Sequence, residues 1–297
     1  MPTLRQLRYF ESLARHLNFG RAAAECAISQ PALSLQIQDL ETKLGIELVE
    51  RGKAAISLTP VGQDVAVRAG RILAEVGDLV DFARGRGKPL SGPLRLGVIP
   101  SIGPYLLPSI LPVLRAEAPE LELQVRESQT AQLLDALMDR KIDLILLALP
   151  IDRPGVTQVG LFEDPFFVLT PSGHRLAGQG AIAMDDLQSE KVLLLEEGHC
   201  LRDQALNLCS QAGVDGVEEF GATSLATIVQ LAGNGYGVTI LPELAREVET
   251  RSHAHVAVAD FARPRPSRTI GLAWRDTSRR KEDFLEFGRL IRQARAA

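Results

Sequence analysis

Cysteine is scarce in this chain: three in 297 residues, too few to staple a small secreted fold. Long apolar runs are missing too. None approaches the roughly 20 residues of a membrane span. The start, Met1-Pro2-Thr3-Leu4-Arg5, lacks the apolar core of a signal peptide. A cytoplasmic protein with no membrane partner is the expectation. Nor is there a surplus of positive charge, and the net charge of −4 argues against simple basic-patch nucleic-acid binding.

What remains is ordinary globular composition, 45% hydrophobic and 24% charged, in a chain long enough for two domains. The charge is unevenly split. Residues 1–90 carry 12 basic against 10 acidic side chains, a balance of +2, and the remainder 21 against 27, a balance of −6. This asymmetry permits a DNA-binding N-terminal region.

Residues 1–59 read as three helices and a hairpin. Leu4, Leu7, Phe10 and Leu13 have helical spacing, and Arg21 to Cys26 is a short Ala-rich helix. Ser29 is a good N-cap for a third helix, with Pro31 tolerated in its first turn. In that helix Leu33, Ile37, Leu40 and Leu44 form one apolar stripe, and Gln30, Ser34, Gln36 and Gln38 a weakly charged polar face. A small-residue helix, a tight turn and such a helix describe a helix-turn-helix, whose polar face can hydrogen-bond base edges in the major groove. An ordinary helical hairpin with a solvated face is the competing reading. Leu48 to Arg51 and Ala55 to Leu58 would form a wing with Arg51, Gly52 and Lys53 at its tip, suited to phosphates. Cys26 reads as packing.

Thr59-Pro60 starts a long helix over 60–84, where Val65, Ala69, Ile72, Val76, Leu79 and Ala83 alternate steps of four and three. That is a coiled-coil seam and predicts dimerisation. Residues 85–93, rich in Gly and Pro, form a hinge. From Leu94 onward strands alternate with helices, predicting an α/β domain over 94–297 with a mostly parallel sheet. Strands are expected at 94–99, 121–126, 143–149, 156–162, 166–170, 238–241 and 269–274, two of them crossing to a second lobe. Ligands in such sheets sit where strands end and helices start. Here those ends are Ile99-Pro100-Ser101 and Glu127-Ser128-Gln129-Thr130.

Two cysteines fall in one stretch, Glu196 to Gly213, which reads as a turn followed by a helix closed by Gly213. Cys200 sits at the helix start beside His199 and Arg202, a setting that favours thiolate over thiol. Cys209 lies nine residues on, about 13 Å along the axis and on the opposite face. A disulfide needs Cα atoms about 4.4–6.8 Å apart, so the two cannot bond while the helix is intact. Bonding would demand that the helix unwind. A helix carrying two core cysteines fits the same residues.

The N-terminal motifs Arg21-Ala22-Ala23, Ser29-Gln30-Pro31-Ala32-Leu33-Ser34, Leu44-Gly45, Leu48-Val49-Glu50-Arg51 and Leu58-Thr59-Pro60-Val61-Gly62 resemble those of LysR-type transcriptional regulators. The resemblance implies a winged helix-turn-helix, a linker helix and a two-lobed α/β effector domain of periplasmic-binding-protein type. It further implies a DNA-binding regulator, not an enzyme, with Gln30, Pro31, Ser34, Gln36, Gln38, Arg51 and Lys53 at the DNA. Glu197-Gly198-His199-Cys200-Leu201-Arg202-Asp203-Gln204-Ala205, with Cys209 beyond it, is similar to the peroxide-sensing members of that family.

Roles follow from that similarity. Cys200 would be the peroxidatic cysteine and Cys209 the resolving one, closing a reversible disulfide. Ser101, Thr130, His199, Asp203 and Arg268 would line the peroxide pocket, with Ser101 standing where such sensors commonly carry Thr. Implied partners are operator DNA, hydrogen peroxide as signal, RNA polymerase, a glutaredoxin- or thioredoxin-type reductant, and further copies of the chain as a homodimer or homotetramer. No metal or cofactor is expected. Two other readings stay open: a metabolite-responsive regulator with structural cysteines, and a thiol peroxidase.

Overall fold

The computed structural model describes residues 1–51, 56–84, 89–214, 216–219, 221–251 and 255–296. The chain divides into two compact units, residues 1–87 with 139–141, and the rest from residue 88 onward.

In the first unit, α1 (Leu4–His16), α2 (Phe19–Glu25) and α3 (Gln30–Leu44) precede a hairpin of β1 (Val49–Arg51) and β2 (Ile56–Leu58), then α4 (Pro60–Arg84). Each helix start has its cap. Thr3 and Gln6 form a reciprocal capping box on α1, Asn18 accepts from Arg21 N, and Ser29 from Ala32 N. Between α2 and α3 the chain turns at Ala27 with φ +53°, where Ile28 N donates to Ala23 O at 3.0 Å. Phe10, Leu13, Ala22, Leu33, Ile37 and Leu40 fill the core between the three helices. Glu41 Oε1 accepts from Leu48 N at 2.8 Å and Val49 N at 3.2 Å, tying the hairpin to α3.

The expected coiled-coil seam of α4 divides in two. Ala69 is buried and Val65 packs on the core of this unit, whereas Ile72 and Leu79 are 45% and 63% exposed. Of the described seam positions, Ile72 and Leu79 in the later half are the ones that stand open.

The second unit runs β3 (Gly92–Val98), α5 (Gly103–Glu117), β4 (Leu121–Glu127), α6 (Thr130–Met138), β5 (Leu144–Leu149) and β6 (Val156–Pro171). After a short 3-10 turn at Met184–Leu187 come β7 (Val192–Leu194), α7 (Cys200–Ala212), β8 (Val217–Glu219), α8 (Leu225–Gly233) and β9 (Thr239–Pro242). It ends with α9 (Glu243–Arg251), β10 (Val256–Asp260), β11 (Ser267–Arg275) and α10 (Lys281–Ala296).

The main sheet has the order β10-β6-β11-β5-β3-β4, with β9 also on β6. It is not mostly parallel, as the sequence suggested. β3 pairs parallel with β4 and β5, but every pairing of β6 and β11 is antiparallel. The two strands expected at 156–162 and 166–170 are one, β6, because Glu163 to Pro165 stay in the ladder opposite Ser267 to Thr269. β6 runs past both lobes.

Each lobe has its own core. Val98, Leu106, Leu146, Leu272, Trp274 and Phe287 belong to the first, and Phe167, Leu193, Leu201, Cys209, Val229 and Leu241 to the second. The predicted strand start at 94 shifts by two residues to Gly92, within ordinary end effects.

Candidate functional site

The two strand ends picked out in the sequence come together with the start of α7. Ile99, Pro100, Ser101, Gln129, Thr130 and residues 198–201 line a cleft of about 200 Å³, counted out to where it meets solvent. Geometry at Gly198 sets the approach. Its φ of +94° is open to glycine, and a Cβ there would lie 2.7 Å from Gln129 Oε1. Chain and side chain therefore close on each other at the mouth of the cleft.

Cys200 is the first residue of α7 and is half-buried. It packs against the core of the first lobe, although its helix belongs to the second. Cys209 is 1% exposed and sits in the second core with Leu201, Ala205 and Ala212, the inward stripe of α7. α7 is continuous from Cys200 to Ala212, and both cysteines are free thiols. At nine residues' separation they are about 13 Å apart along the axis.

The thiol pKa differs from the sequence expectation. Burial pushes Cys200 up, and this outweighs the pull of the Arg268 charge and the Thr130 hydroxyl. Neither His199 nor Arg202, the sequence neighbours, is among its leading influences; the cation comes from β11. Burial alone pushes Cys209 up, to about 11. Both groups rest as thiols at neutral pH.

Arg268 is 3% exposed, and each of its three nitrogens donates, to Asp164 on β6 and to Ser101 in the turn between β3 and α5. Its Nε donates to Asp164 Oδ2 at 3.0 Å, one terminal nitrogen to Ser101 Oγ at 2.8 Å, and the other to Ser101 O at 3.0 Å. Ser101, 4% exposed, thus uses its hydroxyl as an acceptor and keeps its O–H free to turn. Thr130 Oγ1 is buried and has no hydrogen bond of good geometry among the described residues. It nevertheless lies near enough to the thiol to lower its pKa. His199 is 7% exposed at the N-cap of α7, and its Nε2 is 3.9 Å from Glu196.

Four of the five predicted pocket residues therefore gather at Cys200. Asp203 does not join the lining: its side chain is 68% exposed and lies 3.7 Å from Arg202. It acts on the thiol only through its charge, which raises the pKa. Gln129 and Asp164 were given no role from sequence. Gln129 lines the cleft next to Thr130, and its amide is 3.5 Å from Glu197 O. Asp164 became visible only through the pairing of β6 with β11.

On the first unit, Gln30, Pro31 and Gln38 are exposed on α3, and Ser34 and Gln36 half-exposed. Leu35 stands among them, 64% exposed. Arg51 is the last residue of β1, and Lys53 lies outside the described residues. Cys26 packs against the helical core, as expected. Among the described residues no group of side chains could hold a metal ion, and no helix is long and apolar enough to cross a membrane.

A winged helix-turn-helix, a long helix and a two-lobed α/β unit define a regulator class. Residues 4–63 match the bacterial regulatory helix-turn-helix family of LysR type, and residues 87–296 the LysR substrate binding domain. The chain belongs to the LysR family of DNA-binding transcriptional regulators. More narrowly, it is 45% identical over 294 residues to a probable hydrogen peroxide-inducible genes activator of Streptomyces viridosporus, covering 99% of this chain and 94% of that protein. It is 41% identical over 289 residues to the DNA-binding transcriptional dual regulator OxyR of Escherichia coli, covering 97% and 94%. A full-length OxyR variant from Pseudomonas aeruginosa shares the fold with a TM-score of 0.80 at 36% identity, covering 98% of this chain and 94% of that one.

Proposed function

We propose that this protein is a transcriptional regulator of the oxidative-stress response, switched by hydrogen peroxide at Cys200. One observation carries the reading. A helix-start cysteine in a cleft of about 200 Å³ shares a single helix with a second cysteine anchored in the other lobe's core. The enclosed part of the cleft is about 10 Å³, room for little more than one water-sized molecule, which favours a two-oxygen signal over a metabolite.

The chemistry balances without a cofactor. Cys200 loses its proton and its sulfur attacks one peroxide oxygen; an S–O bond forms, the O–O bond breaks, and the departing hydroxide takes up the proton as water. Arg268 and Thr130 favour the thiolate needed for that step, against the burial that holds the resting group as a thiol. Cys209 sulfur then attacks the sulfenic sulfur; an S–S bond forms, the S–O bond breaks, and a second water leaves. Two sulfurs have together supplied two electrons, and one peroxide has become two waters.

Because the cysteines stand about 13 Å apart on an intact helix, the second step requires α7 to unwind. That strips Leu201, Ala205 and Cys209 from the second core and alters the surface the effector domain presents to other copies. The DNA side is α3 in the major groove, read by Gln30, Ser34, Gln36 and Gln38, with Pro31 at its start and Arg51 and Lys53 on backbone phosphates. The open apolar edge of α4 at Ile72 and Leu79 pairs two chains, and effector-domain contacts extend the dimer to a tetramer. RNA polymerase reads the oxidised state, and a glutaredoxin- or thioredoxin-type reductant resets it.

The test is to treat reduced protein with stoichiometric peroxide and map thiols by mass spectrometry. A Cys200–Cys209 disulfide, lost in Cys200→Ser together with the change in operator footprint, is expected. Free thiols after treatment, or a Cys200→Ser variant that still responds, would sink the reading.

A further inference from the structure

Asp164 is a fully buried carboxyl paired with Arg268, and it has no part in the chemistry described so far. It stands on β6 directly opposite Arg268 on β11, as register partners where the two strands pass between the lobes. Its carboxylate is fully committed. Oδ2 accepts from Arg268 Nε at 3.0 Å and Oδ1 accepts from Leu244 N, at the start of α9, at 3.0 Å. The guanidinium is therefore gripped on its Nε edge by Asp164, while its two terminal nitrogens grip Ser101 through both the hydroxyl and the carbonyl. Ser101 is in turn a wall of the Cys200 cleft.

This is a chain of positions, Leu244 to Asp164 to Arg268 to Ser101, made of buried groups with one geometry each. A planar fork held at one edge has its other edge aimed. Without Asp164 the guanidinium keeps its charge but loses the contact that fixes its rotation, and Ser101 loses its register with the thiol. We propose that Asp164 is a positioning residue for the reaction of Cys200 with peroxide, aiming Arg268 at Ser101 from the paired strands β6 and β11. The inference rests on the peroxide reading above.

Asparagine cannot stand in for it. Both carboxylate oxygens accept from N–H groups, so an amide would turn its own NH₂ toward either Leu244 N or Arg268 Nε. Asp164→Asn keeps the shape of the side chain and breaks the alignment.

The assay compares two electrophiles on the reduced full-length protein at neutral pH: hydrogen peroxide, which needs aligned donors around the cleaving O–O bond, and iodoacetamide, which reports chiefly how available the thiolate is. Misaligning preorganised groups lowers the first rate far more than the second. The ratio of peroxide to iodoacetamide rate constants at Cys200 is expected to fall at least about tenfold in D164N, a part of the roughly 10²–10³-fold that outright loss of one preorganised donor costs. A smaller fall overturns the proposal, including the case in which both rates drop together, as general loosening of the fold would cause. Should D164N fail to fold by circular dichroism, R268K carries the same test. It retains the cation but has no fork to span Asp164 and Ser101, so the same fall is expected and a parent-like ratio overturns the idea. If Cys200 of the parent protein ignores peroxide, the sensor reading itself fails, which is a different result from a parent that reacts and a variant that matches it.

Discussion

Replacing Arg268 with Met removes the cation of a buried pair while filling much of its volume. The guanidinium is 3% exposed and its partner Asp164 fully buried, so neither charge has water to fall back on. The variant would leave Asp164 with Leu244 N as its one remaining hydrogen-bond donor of those the parent provides. Breaking one side of a buried pair costs about 3–5 kcal/mol. For a unit of this size each kcal/mol shifts Tm by roughly 2–4 °C, giving a fall of about 6–20 °C.

The fall should depend on pH, with a sign that can be worked out. Burial raises the Asp164 pKa even with Arg268 opposing it, and removing Arg268 raises it further. A carboxyl whose folded pKa exceeds the unfolded value of about 3.9 is best tolerated below that value, and its contribution is lost as pH rises through the folded pKa. The Tm deficit of Arg268→Met is therefore largest in mild alkali and shrinks on acidification. Adding Asp164→Leu should restore most of the loss, since an apolar pair in place of a buried ion pair is often neutral or better. Thermal unfolding by circular dichroism at two pH values reads this directly. A deficit that is the same at both, or a double variant no more stable than Arg268→Met alone, would refute the reasoning.

Other consequences are equally measurable. In Cys209→Ala, peroxide should leave Cys200 as a sulfenic acid that dimedone captures and mass spectrometry counts, with α7 still helical; a cysteine in the second core contributes only packing to the reduced state, so stability should fall by about 1 kcal/mol. Because burial raises both thiols, alkylation of Cys200 should accelerate with rising pH beyond the range of an ordinary cysteine, and Cys209, at about 11, should remain untouched until the fold opens. On the DNA side, Gln30→Ala or Gln38→Ala should weaken operator binding by about 1–3 kcal/mol with little change in salt dependence, read by fluorescence anisotropy across a salt series.

Much of this architecture was legible in the chain. The caps Ser29 and Thr59, the apolar stripe Leu33-Ile37-Leu40 and the small residues of α2 are local signals, and local signals survive folding. The cleft was legible for the same reason. Ser101 and Thr130 lie where strands end and helices start, and parallel neighbours must bring such ends together.

What escaped depends on pairing across long separations. The antiparallel crossing of β6 and β11 joins residues 104 apart, and nothing near Asp164 in sequence announces Arg268. Glu243 to Arg251 was passed over because its mostly polar surface hides a helix whose buried side is short, Ala245 and Glu249. The Cys200 thiol was misjudged because helix position and neighbouring charges can be read from sequence, whereas the burial that dominates the pKa cannot. Asp203 was placed in the pocket by resemblance alone, yet on α7 its own side chain points outward and is 68% exposed.

The inward stripe of α7 has an electrochemical meaning. Leu201, Ala205, Cys209 and Ala212 are buried only while the helix is wound, and under the proposed switch winding is a property of the dithiol form alone. Their packing energy is therefore part of the free energy that separates the two oxidation states. About 1.4 kcal/mol of it corresponds to about 30 mV for a two-electron couple. A denser stripe makes the bridged state more oxidising and quicker to be reset; a looser one lowers the oxidant level at which the population tips. Leu201, Ala205 and Ala212, which take no part in any bond that forms or breaks, thus act as the thermostat of the circuit, and evolution can retune the alarm threshold without touching a single sulfur.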